Sequence, residues 1–275
     1  MDDKPSRPPV QAVRAYRDED FLESRDARAL RILAEYLEPS SRFRHYKVDD
    51  TIVFMGSARL QSHADAEIAL AEVRRTGGNI ALAERQVALS VYYEAARALA
   101  GRLTEWSKGL SQGDRRFLVC TGGGPGIMEA ANRGASEARG LNIGLGITLP
   151  HEQDLNPFIS RELAFNFHYF FMRKFWFAYQ AKAVVFFPGG FGTLDELFEL
   201  LTLIQTGKIR KRMPIVLFGG AYWDEVIDFE AMVRNGTIDA RDLELFRRTD
   251  SVDEAFDFLV KELTEYALPI PGARL

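Results

Sequence analysis

The stretch Ala183–Glu199 reads AVVFFPGGFGTLDELFE, and the order of its residue types decides the fold. Val184-Val185-Phe186-Phe187 has the length and composition of a buried strand. It breaks at Pro188-Gly189-Gly190. A helical pattern follows, with Thr193 in the place of an N-cap and Asp195 and Glu196 in the first turn. Strand, glycine turn and helix N-terminus is how α/β proteins build an anion site. Unpaired backbone N–H groups, and about half a positive charge from the helix dipole, face the ligand. A helix end shaped for phosphate has no use for Glu196 beside it unless that acid acts on a neighbouring part of the ligand.

A second turn of the same type lies upstream. Phe117-Leu118-Val119-Cys120 is apolar and leads into TGGGPGIMEAANRGA, Thr121–Ala135. Pro125 stands where a helix can begin, because its missing N–H is an orphan there anyway. Glu129 falls early in that helix. Two such turns, each followed by an early glutamate, suit a ligand with phosphate at one end and hydroxyls or ring nitrogens at the other. The alternative is a pair of tight βα turns and nothing more. No G-x-x-x-x-G-K-[ST] occurs, which argues against a Walker-type NTPase. Ile127 stands where the dinucleotide fingerprint wants its third glycine, so a mononucleotide-sized ligand is expected.

Outward from these turns, apolar runs alternate with helical patterns. Strands are expected at Thr51–Met55, Phe117–Cys120, Ile143–Leu149, Leu163–Phe167, Val184–Phe187 and Ile215–Phe218. Residues 24–38 carry Leu30, Leu33, Tyr36 and Leu37 at helical spacing, and Ile80–Leu110 reads as one long helix ending near Gly109. The basic cluster Arg42, Arg44, His45 and Lys47 reads as a solvated linker. The alternation predicts an α/β fold: a doubly wound, mainly parallel sheet of Rossmann-like topology with helices on both faces. The expected division is an N-terminal extension over 1–45, a disordered start plus one helix, and a single nucleotide-binding domain over 46–275. In such sheets ligands bind beyond the carboxyl ends of the strands, and each glycine turn sits at one. Gly56-Ser57-Ala58-Arg59, after the first strand, adds an arginine suited to phosphate or carboxylate.

Bulk properties narrow the function. The chain has 275 residues, 47% of them hydrophobic, enough for one large α/β domain. A net charge of −4 with interspersed signs gives no footprint for nucleic acid. The single cysteine, Cys120, lies in an apolar strand and supports neither a disulfide framework nor a thiolate metal cluster. The histidines, 45, 63, 151 and 168, lack metal-ligand spacing, so no metal is expected. The polar N-terminus MDDKPSRPPV has no apolar core of a secretory signal, and no apolar run reaches the ~18 residues of a membrane span. A cytoplasmic protein with no membrane partner is the expectation.

His168–Lys174, HYFFMRK, precedes Phe175-Trp176-Phe177-Ala178-Tyr179. Its rings read as core or subunit interface, which motivates a homodimer or higher homo-oligomer. Arg173 and Lys174 are either surface cations or, leading into the strand of the PGG turn, neighbours of the glycine loops.

These motifs carry a resemblance. PGGFGTLDE is similar to the PGGxGTxxE motif of the LONELY GUY (LOG) family, the cytokinin-activating phosphoribohydrolases. Met172-Arg173-Lys174 resembles the family's arginine–lysine motif, Gly122–Ala135 its second glycine loop, and Phe54–Arg59 its first. The resemblance covers roughly residues 50–220 in consistent order, in a chain of the longer bacterial type. It implies hydrolysis of the N-glycosidic bond of a nucleoside 5′-monophosphate, AMP or a cytokinin nucleotide, to free base and ribose 5-phosphate, with no cofactor. It implies Arg173 and Glu196 as the catalytic pair. Gly189, Gly190, Phe191, Gly192 and Thr193 are implied at the 5′-phosphate. Gly56, Ser57, Arg59, Gly123, Gly124, Glu129, Met172 and Lys174 are implied at the base, ribose and phosphate. GGGPGIMEAAN departs from the compact members' GGGxxGLMG, which bears on the base. Breaking a C–N glycosidic bond develops positive charge on the ribose, and a carboxylate can stabilise that charge or orient a water to C1′. No lysine carries the site signature that pyridoxal chemistry needs. The alternative reading is a non-catalytic nucleotide or phosphorylated-cofactor carrier of the same superfamily. A third is a structural oligomer with a vestigial site.

Overall fold

The structure, a computed structural model, describes residues 12–110, 115–148 and 154–272. Two N-terminal helices, α1 (Glu19–Glu23) and α2 (Arg28–His45), precede β1 (Thr51–Met55), α3 (His63–Thr76), α4 (Ile80–Gly109) and β2 (Leu118–Thr121). Then come α5 (Ile127–Glu137), β3 (Ile143–Ile147), β4 (Ala164–Phe167), α6 (Phe170–Gln180) and β5 (Ala181–Phe186). The chain continues through α7 (Phe191–Gln205), β6 (Ile215–Phe218), α8 (Gly220–Val226), α9 (Phe229–Arg234), β7 (Phe246–Thr249) and α10 (Val252–Glu262).

Among the described residues the strands form one seven-stranded sheet in the order β4-β3-β2-β1-β5-β6-β7, and every pairing is parallel. The chain walks outward from β1 to β4, returns to lay β5 on the free side of β1, and walks outward again to β7. The direction of travel reverses between β1 and β5, and a crevice opens at such a point.

The apolar runs are continuous rather than alternating because helices cover both faces. β1, β2, β3, β5 and β6 are buried along their whole length. Ile52 and Phe54 point into a core with Leu99 and Leu103 of α4, Ala130 of α5 and Leu259 of α10. Val53 and Met55 point into the opposite core with Phe43 of α2, Trp176 of α6 and Leu197 of α7. This is the doubly wound α/β fold that the alternation predicts.

Some boundaries differ from expectation. The N-terminal helix runs to His45, so Arg42, Arg44 and His45 form its last turn and not a linker. Arg42 Nη1 donates to the carbonyl of Ala164 in β4, 2.6 Å away, which ties the helix to the sheet edge. Residues 12–20 contain a 3₁₀ turn at Ala15–Arg17 and the start of α1, and neither buries a residue. A disordered or loosely attached start is expected over residues 1–20, of which residues 1–11 lie outside the described residues, as do His151 and Leu149, the expected end of the third strand. β7 went unread because Phe-Arg-Arg-Thr carries two adjacent cations, which an edge strand tolerates and an apolar-run search rejects. No helix among the described residues is long and apolar enough to cross a membrane.

The aromatic run resolves into core and rim. Met172, Trp176 and Phe177 are buried, whereas Phe170 and Phe171 are exposed.

The second glycine turn is seated by α4 lying directly on α5. A Cβ placed on Gly134 would come 2.0 Å from the carbonyl oxygen of Arg97, so the two backbones touch where Gly134 has no side chain. Alanine raises intrinsic helix propensity by ~1 kcal/mol, but overpacking a backbone contact typically costs about 1–3 kcal/mol. Gly134→Ala is therefore expected to lower the urea unfolding midpoint. An unchanged or higher midpoint contradicts this account of the α4–α5 contact.

Candidate active site

The turns after β1, β2 and β5 meet at the crevice, and Ser57 joins them. Its backbone N–H donates to the carbonyl of Pro188 at 2.9 Å, and its own carbonyl accepts from the N–H of Ile127 at 3.1 Å. Only glycine fits against this crossing. Gly126 has φ +71°, and a Cβ there would lie 2.3 Å from the Ser57 oxygen. A Cβ on Gly189 would lie 2.1 Å from Thr193 Oγ1 and 3.0 Å from the Ser57 nitrogen. Gly56 is closed in the same way by Ile127, at 2.7 Å.

The helix starts differ from the sequence reading. Gly190, with extended backbone, is the cap of α7, so Thr193 lies within the first turn and is not the N-cap. Asp195 and Glu196 fall in the second turn. Gly126 caps α5, so Pro125 stands before the helix and not at its first position. Glu129 is in the first turn, as expected. In both cases a glycine's backbone starts the helix, where a hydroxyl cap was expected for α7 and a proline at the first position for α5. The hydroxyl of Thr193 is thereby left over Gly189 and makes no hydrogen bond among the described residues.

The same geometry opens a set of donors. The N–H groups of Gly190, Phe191, Gly192 and Thr193 find no acceptor among the described residues, and neither does that of Gly124. A Cβ on Gly190 or Gly192 would meet nothing within 4 Å. Neither residue has a positive φ. Protein packing thus does not demand glycine at these two positions.

Glu196 lies beside this cradle, 6% exposed. It accepts no hydrogen bond and makes no ion pair within 4 Å among the described residues, an unusual state for a buried carboxylate. Burial pushes its pKa up to about 7. The charges of Lys174 and Arg173 oppose that rise, while Glu199 and Asp195 add to it. Arg173, on α6, packs its guanidinium over Phe170 and Phe177. Its Nη1 lies 3.8 Å from where a Cβ on Gly122 would be, which brings it against the second glycine loop. Lys174 Nζ sits 2.8 Å from Asp195 Oδ2 and also bonds Glu199. Burial disfavours its charge, but the carboxylates outweigh burial and its pKa is raised.

Other expected residues lie around this centre. Glu129 accepts from the buried hydroxyl of Tyr93 on α4 at 2.8 Å. Burial and this bond push the Tyr93 phenol up to about 12. Gly123, φ +76°, turns the second loop and donates its N–H to Thr121 Oγ1. Arg59 is exposed and its N–H donates to Ser57 Oγ. Phe191 stands out from the helix start, 92% exposed. Met172 is buried and lines a groove with Ile32 and Tyr36 of α2, so its side chain packs between helices.

Sequence reasoning missed the supports. Asn156 and Asn132 are buried beneath the second loop, and Tyr222 of α8 donates its hydroxyl to the carbonyl of Gly189 at 2.6 Å. One signal was available for Asn132. It stands in a helix rich in small apolar residues, Ala130, Ala131, Gly134 and Ala135, all of them buried with it, and a polar residue in such a helix implies a buried partner.

A family model described as "possible lysine decarboxylase" matches residues 128–259. A cytokinin riboside 5′-monophosphate phosphoribohydrolase of Arabidopsis thaliana is 30% identical over 187 residues, 62% of this chain and 80% of the relative. The chain belongs to the LONELY GUY family. A probable enzyme of the same description from Oryza sativa subsp. japonica is 28% identical over 152 residues, 54% of this chain. The match spans 63% of that relative's length. Among solved structures, the molybdenum cofactor binding protein of Rippkaea orientalis aligns with a TM-score of 0.47 at 16% identity, covering 77% of this chain and 96% of its own. The molybdenum cofactor carrier protein of Chlamydomonas reinhardtii aligns with a TM-score of 0.43 at 19% identity, covering 78% and 99%.

The raised pKa of Glu196 has a consequence for stability. The folded state holds this proton more tightly than the unfolded chain, so the stabilisation is complete below about pH 4.5 and is lost as pH rises through about 7. Glu196→Gln removes the buried charge. It is expected to be more stable than the parent at pH 8, by on the order of 2 kcal/mol, with a smaller difference at pH 5. Thermal unfolding at the two pH values checks this, and a difference independent of pH contradicts it.

Proposed function

We propose that this protein hydrolyses the N-glycosidic bond of a nucleoside 5′-monophosphate, releasing free base and ribose 5-phosphate. The observation that carries the proposal is Glu196: a buried carboxylate with no hydrogen bond or ion pair among the described residues, flanked by Arg173 and Lys174 and adjoining a cradle of open N–H groups. The names of the relatives support the same reaction class.

In this reading the 5′-phosphate sits on the N–H groups of Gly190, Phe191, Gly192 and Thr193. That fixes the ribose with C1′ toward Glu196. The C1′–N bond breaks, its electron pair leaves with the base, and positive charge develops on the ribose. The ionised carboxylate stabilises that charge and accepts a proton from the water that bonds to C1′. The departing base takes up a proton from solvent and leaves as the neutral molecule, and Glu196 returns to solvent the proton it took from the water, which restores the ionised acid. Arg173, between Glu196 and the second glycine loop, holds negative oxygens of the ligand and favours the ionised form of the acid. Lys174 is poorly suited to Schiff-base chemistry, because its pKa is raised where such a lysine needs it depressed.

A carrier that binds a phosphorylated ligand without cleaving it uses the same cradle, and that is the second reading. Glu196 separates the two, since a carrier gains nothing from a buried acid with a pKa near 7. The exposed Phe170 and Phe171, with the exposed Leu30, Leu33 and Leu37 of α2, support a homo-oligomer as part of the proposal.

Two variants test it. Glu196→Gln is expected to retain AMP binding and lose base release by at least 10²-fold, the lower range of general-base effects. Base release at the parent rate contradicts the assignment. Gly192→Ala is expected to keep stability or raise it by up to ~1 kcal/mol, because the position is helical and open, while weakening ribose 5-phosphate binding. Unchanged affinity in titration calorimetry removes the cradle from the phosphate site.

A further inference from the structure

We infer that Asn156 and Tyr222 are paired positioning residues, Tyr222 gripping the carbonyl of Gly189 and Asn156 those of Gly123 and Gly124, so that the N–H groups of Gly190 and Gly124 point at the ligand. The inference deepens the function proposed above and rests on it for the ligand's identity.

The trans peptide is planar, so a carbonyl and the N–H that follows it point in opposite directions. Fixing one oxygen therefore aims one donor. At the PGG turn, the Tyr222 hydroxyl donates to the carbonyl of Gly189 at 2.6 Å. The N–H in the same peptide plane belongs to Gly190. It points away from Tyr222 and has no acceptor among the described residues.

The second turn repeats the device with different chemistry. The carbonyl of Gly123 accepts from the backbone N–H of Asn156 at 2.8 Å and from its Nδ2 at 3.1 Å. The same Nδ2 reaches the carbonyl of Gly124 at 3.1 Å. The N–H opposite the Gly123 carbonyl is that of Gly124, which also lacks an acceptor. Glycine needs such a restraint more than other residues, because nothing in its own side chain limits rotation of the plane.

Asn156 is itself held by a buried amide network. Its Nδ2 lies 2.9 Å from Asn132 Oδ1, so its two N–H bonds are shared among three acceptors, and its Oδ1 accepts from the N–H of Phe158 at 3.2 Å. Asn132 Oδ1 also accepts from the Thr121 hydroxyl, and Asn132 Nδ2 donates to Asn142 Oδ1. Thr121 Oγ1 in turn accepts from the N–H of Gly123. The ends of β2 and β3, the first turns of α5 and the segment at 156–160 are joined through this network. Burial at this density makes each bond directional and its loss costly.

The test reads the two donors directly. Protein labelled with ¹⁵N-glycine is titrated with ribose 5-phosphate, and the Gly124 and Gly190 signals are assigned from Gly124→Ala and Gly190→Ala. Both amides are expected to shift and saturate in the parent. Tyr222→Phe removes one hydroxyl and leaves the ring. It is expected to abolish the Gly190 shift, leave the Gly124 shift, and weaken ribose 5-phosphate about fivefold to tenfold. Asn156→Ala keeps the backbone N–H bond to the Gly123 carbonyl but removes both side-chain bonds to the turn, and it is expected to diminish the Gly124 shift, leave the Gly190 shift and weaken ribose 5-phosphate. Should that variant fail to fold, Thr121→Val removes only the hydroxyl beneath Gly123 and is expected to diminish the Gly124 shift. Parent amides that stay still at saturating ligand, or variants with parent affinity and parent shifts, overturn the inference. Amides that behave as expected in a parent that releases no base from any nucleotide leave the clamps standing and remove the hydrolase.

Discussion

Three backbone turns converge on Ser57, and the geometry of the candidate site depends on how closely they do so. The contact is made of main chain: one N–H to Pro188, one carbonyl from Ile127. Side chains are excluded from it, because a Cβ at Gly126 or Gly189 would overlap neighbouring atoms. The parallel sheet makes this possible. β1 lies between β2 and β5, so its turn alone can touch both of theirs. Two helix starts, those of α5 and α7, are thus brought to one crevice with their open N–H groups.

Onto that scaffold the chain adds an electrostatic contrast. The cradle is positive by virtue of helix ends and of Arg173 and Lys174, yet a carboxylate is buried within it. Lys174 is engaged by Asp195 and Glu199, so its charge is shared between these two acids, while Glu196 is left without a hydrogen bond among the described residues. Desolvation wins over the nearby cations, and the acid titrates near neutrality. A group in that state costs stability at neutral pH, and such costs concentrate where ligands react.

How much of this was legible depends on the kind of signal. The strands at Thr51–Met55 and Val184–Phe187 were readable because both faces of the sheet are covered, and a doubly buried strand is an uninterrupted apolar run. The glycine turns were readable because close backbone approach leaves no substitute for glycine. Arg173 stood in an aromatic stretch that reads as core, its place ahead of the PGG strand put it near the glycine loops as one of two readings, and its catalytic role came from resemblance to a family. The helix starts were misplaced by two to three residues, since Gly190 and Gly126 cap by backbone conformation where a hydroxyl or a proline was expected. β7 escaped because Arg247 and Arg248 hide an edge strand. Asn156 and Tyr222 were invisible for a deeper reason: their partners are carbonyls far away in sequence, and no local pattern records such a bond.

The central claim is that a 5′-phosphate seats the substrate and Glu196 cleaves it. The most direct measurement incubates the parent protein with nucleoside 5′-monophosphates, AMP and isopentenyladenosine monophosphate among them, and with the matching nucleosides. Free base is read by chromatography. The account predicts base and ribose 5-phosphate from at least one monophosphate and orders of magnitude less from its nucleoside. Measurable binding of the monophosphates with no base released from any of them would contradict the account and favour a carrier.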